Sequence, residues 1–181
     1  PVPLLTEEVD PESKDLNFPR ATVDELVDYI DRLLEEVIQS GDLPPTLINA
    51  AIPDGNERYN LNEIVRPTRS AAIALRAKLW VYAASPLFND DQPYYSGKYS
   101  MENASQDSLA WMGGRKPELW QQCKKACEDF FNENANNGNP YHLVEPTAQT
   151  TEAYRFAYRF AYISQASPEV IFETRVTDNN H

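Results

Sequence analysis

Several separate windows of this chain repeat apolar residues at steps of three and four, and each window is closed by proline or glycine. That pattern commits the chain to amphipathic helices rather than to a sheet. In the first window Val23, Leu26, Val27, Ile30, Leu33, Leu34, Val37 and Ile38 draw one apolar stripe, and Asp24, Asp28, Asp31, Glu35 and Glu36 mark the wet face. Thr22-Val-Asp-Glu25 has the spacing of a capping box, in which threonine and glutamate each satisfy a backbone N–H of the other. Gly41 predicts the stop, with Pro44 and Pro45 beyond it.

Residues 68–84 predict a second helix, Ala-rich and free of glycine and proline, with Ala71, Ala72, Leu75, Leu79 and Tyr82 near helical spacing. Ser85-Pro86 ends it, because the residue before a proline is pushed out of the helical region. Pro117 opens a third helix whose expected buried stripe is Leu119, Trp120, Cys123, Ala126, Cys127, Phe130 and Phe131, closed by Asn136-Asn-Gly-Asn-Pro140. After an extended stretch at 141–144, residues 151–163 carry a tandem four-residue repeat. On a helix it sets Tyr154, Tyr158 and Tyr162 in one drifting row and Phe156 and Phe160 in another. Pro168 stops it, and residues 169–176 read as a strand with Val170, Phe172 and Thr174 on one face.

No helix here can bury its stripe alone. The expected fold is therefore mainly α: a stack of helix pairs with long loop excursions at 42–66 and 86–116 and a little β near the C-terminus. Residues 1–20, with Pro1, Pro3, Pro11 and Pro19, predict an extended lead-in, and residues 21–181 one helical-repeat domain. The chain opens on proline rather than methionine and its last residues show no stop to the fold, so the expectation is a piece of a longer protein.

The 181 residues, 41% of them apolar, can bury one sizeable core and a small second lobe. A formal net charge of −12 repels phosphate backbones, which argues against nucleic acid as a partner. No run approaches the roughly 18 apolar residues that a membrane-spanning helix needs. The two cysteines, Cys123 and Cys127, share one helix face at a spacing poor for a disulfide, and packing as small hydrophobes is the expectation. His142 and His181 are isolated from them in sequence, so no zinc set forms, and no cofactor motif occurs. The chain holds no Gly-x-Ser-x-Gly elbow, His-Glu-x-x-His helix or phosphate loop, and nothing in it argues for an enzyme.

Residues 88–111 mix the groups that bind sugars: flat aromatic faces for pyranose rings, with amides and carboxylates for hydroxyls. Tyr94, Tyr95, Tyr99 and Trp111 are the stacking candidates, and Asn89, Asp90 and Asp91 the hydroxyl partners. The alternative is that these aromatics pin the loop to the helices or face a protein partner. Asn89-Asp90-Asp91 lacks the ordered set of six or more oxygens that calcium needs, and reads as a solvated turn. Trp80 and Trp120 sit on helices at core spacing and are expected to pack.

Four blocks, in order, resemble the SusD/RagB family of outer-membrane nutrient-binding lipoproteins. They are Arg20-Ala-Thr-Val-Asp-Glu-Leu-Val-Asp-Tyr-Ile-Asp-Arg-Leu-Leu34, then Thr68-Arg-Ser-Ala-Ala-Ile-Ala-Leu-Arg-Ala-Lys-Leu-Trp-Val-Tyr-Ala-Ala-Ser-Pro-Leu-Phe-Asn89, the Trp-bearing Leu119-Trp-Gln-Gln-Cys-Lys-Lys-Ala126, and Ser167-Pro-Glu-Val-Ile-Phe-Glu173. The resemblance covers roughly residues 20–176 and corresponds to the family's central tetratricopeptide-like segment. It implies a non-catalytic protein on the external face of the outer membrane, held by a lipid anchor outside this chain. Its expected work is binding oligosaccharide or polysaccharide and delivering it to a SusC-like TonB-dependent transporter, in polysaccharide utilization. Ligand-holding loops differ between family members, so no ligand residue carries over by position. The second expectation is a helical-repeat scaffold for protein–protein interaction with no glycan site of its own.

Overall fold

The computed structural model describes residues 2–10, 12, 17–49, 66–94, 108–164 and 167–172. The chain is mainly α. Among the described residues there are four helices, α1 (Val23–Ser40), α2 (Arg69–Ala84), α3 (Glu118–Asn136) and α4 (Thr151–Ile163), and no helix is long and apolar enough to cross a membrane. The chain divides into two compact units, one of Pro1–Glu36 and Arg76–Ala126, the other of Val37–Leu75 and Cys127–His181.

In the first unit α1 begins on the capping box. Thr22 N–H donates to Glu25 Oε2 at 2.8 Å, and Glu25 N–H donates to Thr22 Oγ1 at 3.2 Å. The Thr22 N–H, and after it the Thr22 hydroxyl, stabilise the charged carboxylate and hold the Glu25 pKa below its ordinary value. A carboxyl whose pKa is lowered by folding contributes stability above its unfolded pKa and loses it as pH falls through the folded one. Glu25→Gln is accordingly expected to remove part of the acid sensitivity of the α1 N-terminus. The check is NMR titration of the Thr22 and Glu25 amides, and identical titration curves in variant and wild type would refute the coupling.

The buried row of α1 differs in phase from the stripe read off the sequence. Val27 and Ile38 are buried and Leu34 is half-buried, whereas Ile30, Leu33 and Val37 are exposed. Asp31, expected on the wet face, lies on the same row as Val27 and is drawn inward by α2. Arg76 Nε and Nη2 donate to Asp31 Oδ1 and Oδ2 at 2.7 and 3.1 Å, Arg76 Nη1 donates to Glu35, and Trp80 Nε1 donates to Asp31 Oδ1 at 2.7 Å. The Arg76 side chain is 18% exposed. The pairing of α1 with α2 is thus set by one guanidinium fork and one indole as well as by apolar packing.

That cluster also sets the phase of α2. Ser70, Ile73, Trp80, Ala83 and Ala84 are buried, while Leu75 and Tyr82, expected in the core, are exposed. On α3 the buried residues are Leu119, Cys123 and Ala126, followed by Glu133 and Asn134. Trp120 and Phe131, expected in its stripe, face outward. Cys123 is buried and Cys127 half-buried, both as free thiols.

In the second unit the N-terminus of α2 is closed by the prolines that follow α1. Arg69 N–H donates to the Pro44 carbonyl at 2.9 Å, Ser70 N–H to the Pro45 carbonyl at 3.2 Å, and Ser70 Oγ to the same Pro45 carbonyl at 2.7 Å. These bonds satisfy donors that a helix start leaves orphaned. The core holds Ile48 and Tyr141, with Phe130 and Ile171 packed against them. Asn134 fastens the chain after α3: its Nδ2 donates to the Tyr141 carbonyl at 2.9 Å, and its Oδ1 accepts from Tyr141 N–H at 3.0 Å. Gly138 and Asn139 take positive φ, 79° and 56°, and Asn139 N–H donates to the Asn134 carbonyl at 2.8 Å, which closes the helix as the Asn-Gly-Asn-Pro stop predicts.

Ser167 and Pro168 are fully buried in this unit. His142 N–H donates to the Pro168 carbonyl at 3.2 Å, and Glu169 Oε1 accepts from Val144 N–H at 2.8 Å. The strand expected at 169–176 is absent over residues 169–172, which form a turn and a bend; 173–176 lie outside the described residues. Buried Pro168 and the side-chain bond of Glu169 hold this segment without a ladder.

Candidate functional site

The excursion after α2 is closed at a neck. Ser85 ends the helix by donating from Oγ to the Tyr82 carbonyl at 2.7 Å, and a turn over 86–88 delivers Asn89. Asn89, 5% exposed, donates from Nδ2 to the Lys116 carbonyl at 3.0 Å and accepts at Oδ1 from Lys116 N–H at 2.6 Å. Met112, also buried, donates its N–H to the Phe88 carbonyl at 2.8 Å. Lys116 Nζ pairs with Asp24, and the Ser108 carbonyl accepts from Val23 N–H at 3.1 Å, so the returning limb of the loop is tied at two points to the start of α1.

Gly113 lets the returning limb turn. Its φ is +75°, and a Cβ there would stand 2.7 Å from Ser108 Oγ, so both conformation and space favour glycine. Ser108 itself has a φ of 57°. The neck is therefore over-determined by bonds from both limbs, and whatever chemistry the loop bears is presented from a fixed base.

The residues singled out for sugar binding fall into three groups. Tyr94 is 81% exposed beyond the neck, and Asp90 and Asp91, which precede it in the chain, are exposed too, Asp91 N–H donating to Asp90 Oδ1 at 2.8 Å. Asn89 is spent on Lys116 and joins the two limbs of the loop, and Trp111 is half-buried and engaged. Tyr95 and Tyr99 lie outside the described residues. Among the described residues no three His, Cys, Asp or Glu side chains gather as a metal set.

A second array of chemistry-bearing residues lies in the other unit, on α4. Thr150 caps this helix, its Oγ1 accepting from Ala153 N–H at 3.2 Å. Of the whole helix only Ala157 is buried. Tyr154, Phe156, Tyr158, Tyr162 and Ile163 are exposed, the rings of Phe156 and Phe160 stack at 6.1 Å, and those of Tyr158 and Tyr162 at 6.2 Å. One flank, with a cavity of about 600 Å³, is lined by Glu152, Arg155, Phe156, Arg159 and Phe160; the other, of about 320 Å³, by Val144, Pro146, Tyr154, Tyr158, Tyr162 and Glu169. The repeat itself is the sequence signal for this array, because a four-residue period keeps like side chains on one side of a helix.

No family model, curated protein or solved structure matches the chain.

Proposed function

We propose that this chain is the tetratricopeptide-like part of a SusD-like nutrient-binding lipoprotein, a non-catalytic protein that captures oligosaccharide outside the outer membrane and delivers it to a TonB-dependent transporter. The observation that carries the reading is the braced neck at Asn89 and Lys116, with the exposed carboxylates of Asp90 and Asp91 and the exposed ring of Tyr94 following Asn89 within five residues. An aromatic face with oxygen acceptors close by in the chain is the material that pyranose recognition uses. The ordered resemblance blocks add the transporter and the outer-membrane location.

Calorimetric titration against plant, host and microbial oligosaccharides tests it. A sugar that binds is expected to lose roughly two- to tenfold in affinity on Tyr94→Ala, the range for one aromatic contact. A panel in which no sugar binds would overturn the glycan reading. The observation that favours the second reading, a helical scaffold for a protein partner, is that Asn89 serves the fold of the loop. Pull-down of the transporter with unchanged yield from a Tyr94→Ala chain that binds no sugar would select it.

A further inference from the structure

The four-residue repeat of α4 steps each row by 400°, so the rows drift by about 40° per repeat. Ala157 faces inward, and Tyr158, Tyr162, Arg155 and Arg159 fall together on the roughly opposite side, within an arc of about 100°. The two tyrosine rings are nearly parallel, at 8°, and stand 72% and 83% exposed. Neither arginine has an ion-pair partner among the described residues. Two carboxylates border this face, Glu152 beside the arginines and Glu169 beside the tyrosines, where its Oε1 accepts from Val144 N–H, and neither makes an ion pair among the described residues.

Two features of this strip point to a ligand that carries negative charge. In a chain of net charge −12 a local pair of unpaired guanidiniums is an exception to the field around it. Like charges four residues apart also weaken a helix, and a bound carboxylate would relieve that repulsion. The neighbouring tyrosines ask for something further: a flat, partly apolar face with hydroxyls at its rim. A sugar ring bearing a carboxylate satisfies both, its C–H face against tyrosine and its carboxylate in the fork of an arginine.

We propose that the outward face of α4, Arg155, Tyr158, Arg159 and Tyr162, is a binding site for uronic-acid oligosaccharides. The assignment rests on the carbohydrate-capture reading above and names a second site and a ligand class for it. Arg155 and Arg159 hold successive carboxylates, and Tyr158 and Tyr162 carry the rings between them.

The test is calorimetric titration of the full chain with hexagalacturonate, its neutral methyl ester and a neutral glucose hexamer, at low and at physiological salt. Hexagalacturonate is expected to bind more tightly than its ester and to weaken as salt rises. Arg155→Gln with Arg159→Gln is expected to lower that affinity by about tenfold, a modest loss because both pairs are exposed, and to leave the ester unaffected. Both positions are exposed, and circular dichroism of the double variant checks that the helix persists. Equal binding of hexagalacturonate by the double variant would overturn the site. Binding of the glucose hexamer alone, sensitive to Tyr94→Ala, would overturn it while leaving the capture reading intact, and binding of none of the three here, or of any panel sugar, would remove both. Sedimentation showing a dimer that the arginine double variant dissolves would also overturn it, by giving the face to a second copy of the chain.

Discussion

Asp31→Ala is expected to cost the first unit about 2–4 kcal/mol, read as a lower urea midpoint when tryptophan fluorescence is followed. Asp31 accepts from Nε and Nη2 of Arg76 and from the indole N–H of Trp80, so its removal strands three donors at once. Glu35 keeps one contact to Arg76 and stays more exposed, which limits the loss to less than that of a fully buried ion pair. Arg76→Met with Asp31→Leu should recover part of the stability, because replacing both partners by apolar groups removes the stranded charge. A loss below about 1 kcal/mol in the single variant would mean that water substitutes for the carboxylate.

Asn89→Leu is expected to open the neck of the excursion, at about 2–3 kcal/mol of local stability, because the N–H and carbonyl of Lys116 each lose a partner that a leucine cannot replace. Hydrogen exchange would report it: the Lys116 and Met112 amides should lose protection together, while Ala126 on α3 keeps its own. If a sugar binds through Tyr94, its affinity should fall with them although Asn89 touches no ligand. Unchanged protection at Lys116 would show that Met112 and the Lys116–Asp24 pair suffice to hold the loop.

What was legible in the sequence is what is decided within a few residues. The Thr22–Glu25 box and the Asn-Gly-Asn-Pro stop after α3 act through bonds three to five positions apart, the glycine stop at 41 through its positive φ and the proline after Ser85 through local sterics, and each stands where the spacing puts it. The inward face of each helix was less legible. Asp31 turns inward because Arg76, 45 positions later, supplies the matching cation, and no local pattern announces that partner. Once Trp80 and Arg76 follow it inward, Leu75 and Tyr82 must turn out, since one helix cannot bury every side. On α3 the apolar Trp120 and Phe131 face outward, and the helix buries Leu119, Cys123 and Ala126 instead.

The candidate loop divides along the same line. Its aromatic and acidic composition made it visible, and Tyr94 stands exposed as a binding residue would. Asn89 looked the same in composition but serves the backbone, because an amide beside a returning strand of chain meets a peptide group before it can meet a ligand. The α4 array showed itself as a repeat and went unread as a surface, since aromatic rows on a helix usually mark core and here only an alanine is buried.

The repeat on α4 leaves its register loosely specified. Sliding this helix by four residues along its own axis, about 6 Å with a turn of about 40°, would place alanine where alanine was, tyrosine on tyrosine and arginine on arginine. The Thr150 cap is what distinguishes one setting from the next. A deletion of residues 153–156 would thus shorten the helix by about one turn and return nearly the same surface to the same neighbours, a kind of length change that α1, with no such period, could not absorb.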